Sequence, residues 1–104
     1  MSRAHLMEHI MEGSRTLDAA ALSRFVNEMQ NRLATKRQQG RTGWELMEGH
    51  QVIDLIRKVM EKQSDTFYVD LSNLLMFCHE LEVPPEQVME QLEAGMGRNW
   101  QCRN

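Results

Sequence analysis

A chain of 104 residues with 12 basic and 15 acidic side chains, net charge −3, has the length of one domain and the wrong sign for a general nucleic-acid coat. One core is affordable at this size, and association with further copies would add to a small core, so a homo-oligomer is expected. Cys78 and Cys102 form no CxxC motif or disulfide framework. No apolar run approaches the roughly 20 residues of a membrane span, and the N-terminus lacks a signal-peptide pattern, so a cytoplasmic protein without membrane association is expected.

Helix formers dominate and aromatic residues are sparse, which points to an all-α fold: an antiparallel bundle of about four main helices plus a short N-terminal helix. Nine methionines suit adaptable packing, in the core or on a partner surface.

Residues 2–11 predict the short helix, with Ala4, Leu6, Met7, Ile10 and Met11 as its apolar set and Gly13 and Ser14 as its break. The expected organisation is an arm over 1–14, a bundle over 15–95 and a tail over 96–104. Such an arm packs on the main body or on a second subunit. The first long helix opens near Thr16 or Asp18 and runs to about Gln38, with Leu22, Phe25, Val26, Met29 and Leu33 in helical register and Gly40 as its C-terminal cap.

The linker from Gln39 to Trp44 carries two glycines, Arg41 and an indole. With Lys36 and Arg37 it can hold a phosphate, because glycine permits close backbone approach and the cations supply charge. The spacing is not Walker-type, and the plainer alternative is a turn with Trp44 anchored in the core.

A second long helix from about Trp44 to Lys62 gathers Val52, Ile53, Leu55, Ile56, Val59 and Met60 on one face. His50, Asp54, Arg57, Lys58 and Glu61 lie opposite and form the i,i+4 pairs His50–Asp54, Asp54–Lys58 and Arg57–Glu61. Ser64 or Asp65 caps the third helix, which ends near Glu82. Its apolar stripe of Phe67, Leu71, Leu74, Phe77, Cys78 and Leu81 contains one carboxylate, Asp70, with Asn73 at its edge. A last helix runs from about Pro85 to Ala94 and stops at Gly95, leaving Trp100 and Cys102 to tuck onto the body or contact another subunit.

Asp70 is the most informative residue. A carboxylate in an apolar stripe needs a cation, a metal or several hydrogen bonds. Arg32, Lys36 or the Trp44 indole N–H can answer it; so can a divalent ion shared with His50 and Asp54, although those two also read as an ordinary exposed pair. The remaining histidines share no ligand set, and no serine or cysteine has the context of a nucleophile.

The order Phe25-Val26-Asn27-Glu28-Met29, Leu33-Ala34-Thr35-Lys36, Gly40-Arg41-Thr42-Gly43-Trp44 and Val69-Asp70-Leu71-Ser72-Asn73-Leu74-Leu75-Met76, followed by the proline turn and helix at 83–92, resembles the MazG-like proteins often encoded by phages and prophages. The similarity spans residues 22–92. It implies an all-α, oligomeric scaffold whose active members hydrolyse nucleoside triphosphates to monophosphate and pyrophosphate with magnesium. They use a Glu-Glu-x-x-Glu helix facing a Glu-x-x-Asp helix. Those motifs would fall on His50, Gln51 and Asp54, and on Phe67 and Asp70. Only Asp70 matches outright, and the donors left are too few for paired-metal chemistry.

The sequence therefore reads as this scaffold with its catalytic face rewritten: a non-catalytic protein that binds a nucleotide through Lys36, Arg37, Arg41, Trp44 and Asn73, or binds a host protein as a phage-type regulator. The alternatives are a magnesium-dependent pyrophosphohydrolase with the ligand set His50, Asp54 and Asp70, and a structural helical dimer.

Overall fold

The computed structural model describes residues 2–102, and the side chains of all of these except His9 and residues 95–102. Its elements are α1 (Arg3–Gln38), a single 3-10 turn at Trp44–Leu46, α2 (Gly49–Lys62), α3 (Phe67–Glu80) and α4 (Pro85–Cys102). All regular structure among the described residues is helical. No helix there is long and apolar enough to cross a membrane.

The separate N-terminal helix and the first long helix are one element of 36 residues. The Ser2 hydroxyl caps it by accepting from the His5 N–H at 3.2 Å, and Thr16 Oγ1 donates back to the Glu12 carbonyl at 3.0 Å. A helical glycine costs about 1 kcal/mol relative to alanine. A break would instead strand a new set of N–H and C=O groups at two fresh ends and require renucleation, so the helix continues through Gly13. The same reasoning carries α4 through Gly95, where a stop was expected. The expectations for the Trp100 and Cys102 side chains lie outside the described residues.

Among the described residues, the half-buried side chains of α1 all lie in its second half. Phe25, Met29, Arg32, Leu33 and Lys36 are half-buried, one stripe along the helix, and they pack toward α3. Every described side chain from residue 2 to residue 24 is exposed. Gly40 and Gly43 then turn the chain at φ 81° and 86°, left-handed values that favour glycine.

α2 starts five residues later than the periodicity suggests, at Gly49 rather than Trp44. Glu48 holds the junction: its N–H donates to Gln51 Oε1 at 2.8 Å, half of a capping box. The core lies between α2 and α3, where Val52, Ile53 and Ile56 are fully buried and Leu74, Phe77 and Cys78 nearly so. α3 ends at Glu80, two residues before the expected Glu82, which takes φ 54° in the turn.

α4 packs on α2. Arg57 pins the two together, donating from Nε and Nη2 to the Gln91 carbonyl at 3.2 and 3.0 Å.

Candidate functional site

α1, the glycine turn, α2 and α3 line a half-open cavity of about 570 Å³. That volume falls in the range typical of small-molecule sites, roughly 300–1,000 Å³. Its floor is apolar and its walls are cationic. Trp44 and Phe77 stack at 4.5 Å with their planes 6° apart, joined by Met47, Leu55, Val59 and Leu74. Around them stand Arg32 and Lys36 from α1, Arg41 from the turn, and Lys58 and Lys62 from α2. The single carboxylate among the lining residues is Asp70.

Asp70 is 7% exposed and fully answered. Arg32 reaches it with both arms of the guanidinium, Nε to Oδ1 at 2.8 Å and Nη2 to Oδ2 at 3.4 Å. Thr66 Oγ1 donates to Oδ2 at 2.7 Å, and the Ser64 hydroxyl lies 3.1 Å from Thr66 Oγ1. Thr66 sits at the helix start, yet its hydroxyl serves this carboxylate and caps no backbone N–H. Burial pushes the Asp70 pKa up, but the Arg32 and Thr66 hydrogen bonds and then the charges of Arg32 and Lys36 outweigh it and hold the carboxyl below its ordinary value.

Lys36 is shifted down. Burial is the main cause; Asp70 opposes it, and Arg32, Arg41 and Lys62 add repulsion. A cation held near other cations is stabilised when an anion arrives, so this wall favours an anionic guest. Asn73 adds a second polar feature. It is 4% exposed, its Nδ2 donates to the Met29 carbonyl at 3.3 Å, and its buried Oδ1 has no protein partner. It lines the cavity.

Of the residues singled out for phosphate binding, Lys36, Arg41, Trp44 and Asn73 line this one cavity, whereas Arg37 is exposed and does not. His50, Asp54 and Asp70 are not brought together. His50 Nδ1 lies 3.3 Å from Glu48 Oε2, Asp54 accepts from Arg57, and neither lines the cavity. Asp54 thus pairs with Arg57 at i,i+3, in place of the i,i+4 partners His50 and Lys58, because Arg57 is already anchored to Gln91 beside it.

Magnesium wants several oxygen ligands in near-octahedral array. The Asp70 oxygens are occupied by Arg32 and Thr66, and no group of three or more His, Cys, Asp or Glu among the described residues is placed to hold a metal. The donor set does not fit that ion.

Lys58 and Lys62 were the residues missed. Their i,i+4 spacing is visible, with Leu55 and Val59 beside them, but Lys58 falls opposite the apolar face in an i,i+4 pair with Asp54. Lys62 falls at the end of α2, and the chain reversal at Gln63, with φ 49°, follows it directly. No family profile, curated protein or solved structure matches this chain.

Proposed function

We propose that this chain is a binding protein for a nucleotide, built on a MazG-like antiparallel bundle whose catalytic face has been replaced. The observation that carries the reading is the composition of the cavity. Four cations, Lys36, Arg41, Lys58 and Lys62, surround a stacked aromatic floor, while the only acid is neutralised by Arg32. Cations take a phosphate, and an indole beside them supplies a surface for a planar base. A concave cleft of this volume suits a small molecule better than a host protein.

The resemblance in sequence supports the scaffold, and Asp70 marks where it would keep a metal ligand. In this chain Arg32 supplies the positive charge beside Asp70 that the resemblance would assign to a metal, which supports reading the protein as a binder. Calorimetric titration with ribo- and deoxyribonucleoside mono-, di- and triphosphates, with and without magnesium, tests it alongside a pyrophosphate-release assay. Saturable, magnesium-independent binding is expected, weakened at least tenfold by Lys36→Glu or Arg41→Glu, with no pyrophosphate released. Absence of binding at millimolar nucleotide ends the proposal. Pyrophosphate release that Asp70→Asn abolishes in a folded protein would make the chain a hydrolase.

A further inference from the structure

The first half of α1 has an apolar face whose described side chains are exposed. At 100° per residue, Leu6, Met7, Ile10, Ser14, Leu17 and Ala21 share one side, with no charged residue between Arg3 and Arg24 on it. Leu6 is 53% exposed, Ile10 60% and Leu17 72%. The centre of this face lies about a fifth of a turn from that of the Phe25, Met29, Arg32, Leu33 and Lys36 stripe that meets the body, with which it shares one edge, so most of it is turned away from the intramolecular contact.

The whole chain exposes 8454 Å², whereas a compact 12.2-kDa monomer exposes roughly 6,100 Å². Its radius of gyration is 18.4 Å against about 13 Å for a compact chain of this length. The surplus, roughly 2,400 Å² over the whole chain, exceeds the roughly 800 Å² per partner that a standard-size interface buries, so a helix-face contact fits within it.

The charges at the ends of the face choose the orientation. Arg3 stands at one end and Glu28 at the other. Antiparallel pairing of two copies sets each Arg3 against the other chain's Glu28, with Ile10 facing Ala21 and Ser14 facing Leu17, while parallel pairing sets like against like. Ser14 and Ala21 are small and let the two helices approach closely. We infer that residues 3–28 of α1 form a two-fold antiparallel helix pair with the same segment of a second copy.

Sedimentation equilibrium on the full chain at tens of micromolar tests this. The expected mass is twice 12.2 kDa. Ile10→Glu combined with Leu17→Glu, both at exposed positions, should give a single-chain mass with unchanged helical circular dichroism. At low salt, Arg3→Glu and Glu28→Arg should each weaken the dimer several-fold, and together restore it. A native chain that is monomeric overturns the inference, as does a dimer indifferent to Ile10→Glu/Leu17→Glu. A double charge swap no tighter than its singles overturns the antiparallel pairing. A monomer that co-sediments with anionic vesicles assigns the face to lipid instead.

Discussion

Arg32 Nε on α1 lies 2.8 Å from Asp70 Oδ1 on α3, and this pair ties the long helix to the core where the cavity begins. The Asp70 side chain is 8% exposed and that of Arg32 30%, so the acid is the buried partner. Asp70→Asn keeps the shape and removes the charge, and should cost about 1–3 kcal/mol at pH 7, because Arg32 loses a charged acceptor. The folded carboxyl titrates below its unfolded value of 3.8, so this stabilisation is complete above 3.8 and is lost as the pH falls through the folded value. The gap between native protein and Asp70→Asn in urea unfolding should be widest near neutrality and close below pH 3.8. A gap independent of pH would show that the charge contributes nothing.

Asn73 separates stability from binding. Asn73→Ala removes the donor to the Met29 carbonyl but also the buried Oδ1 that no protein group satisfies. These effects oppose each other, so the change in stability should stay within about 1 kcal/mol. If Oδ1 accepts an N–H or O–H from the bound nucleotide, affinity should fall about tenfold or more in the same variant. Thermal melts and titrations on one preparation read both, and unchanged affinity would remove Asn73 from the site.

Lys36 sets a pH dependence of the opposite kind. Its folded pKa lies below 10.5, so free folded protein releases this proton more readily than unfolded protein, and stability from this group rises as the pH climbs through its folded value toward 10.5. A bound phosphate holds the proton on. Affinity should therefore fall as the pH rises through the alkaline range, and Lys36→Met should bind more weakly with a flatter profile. A native profile as flat as the variant's would rule Lys36 out as a ligand contact.

Gly43 positions the aromatic floor. It takes φ 86° immediately before Trp44, and nothing lies within 4 Å of where its Cβ would be. Gly43→Ala meets no clash, so its cost is conformational alone, roughly 1–2 kcal/mol. Chemical denaturation should read that loss. Near-ultraviolet dichroism should report a changed Trp44 environment if the turn relaxes by moving the indole off Phe77.

Arg57 joins α2 to α4 through the Gln91 carbonyl while holding Asp54. Arg57→Met keeps most of the aliphatic stem and removes the donors, and should destabilise by about 1–2 kcal/mol without touching the cavity. Nucleotide affinity should be unchanged once the protein is folded. An affinity loss as large as that of Lys36→Glu would place the binding site elsewhere.

Local pattern in the sequence was enough for the all-helical class, the apolar faces of α2 and α3, the glycine turn, and the conclusion that Asp70 needed an answer. Those features depend on spacing within about a dozen residues, and Arg32 was already among the groups able to reach the carboxylate. What only the tertiary structure decided is which answer prevailed and which charges converge. Asp54 and Lys58 occupy one helix face at a spacing that invites pairing, yet Asp54 goes to Arg57, which is held on the Gln91 carbonyl of α4, while Lys58 lines the cavity with Lys62. The continuity of α1 through Gly13 was likewise a balance of about 1 kcal/mol between one glycine and two new helix ends, too small for a residue pattern to resolve. Arg32 and Asp70 are 38 positions apart, and no periodicity spans that distance. Packing does.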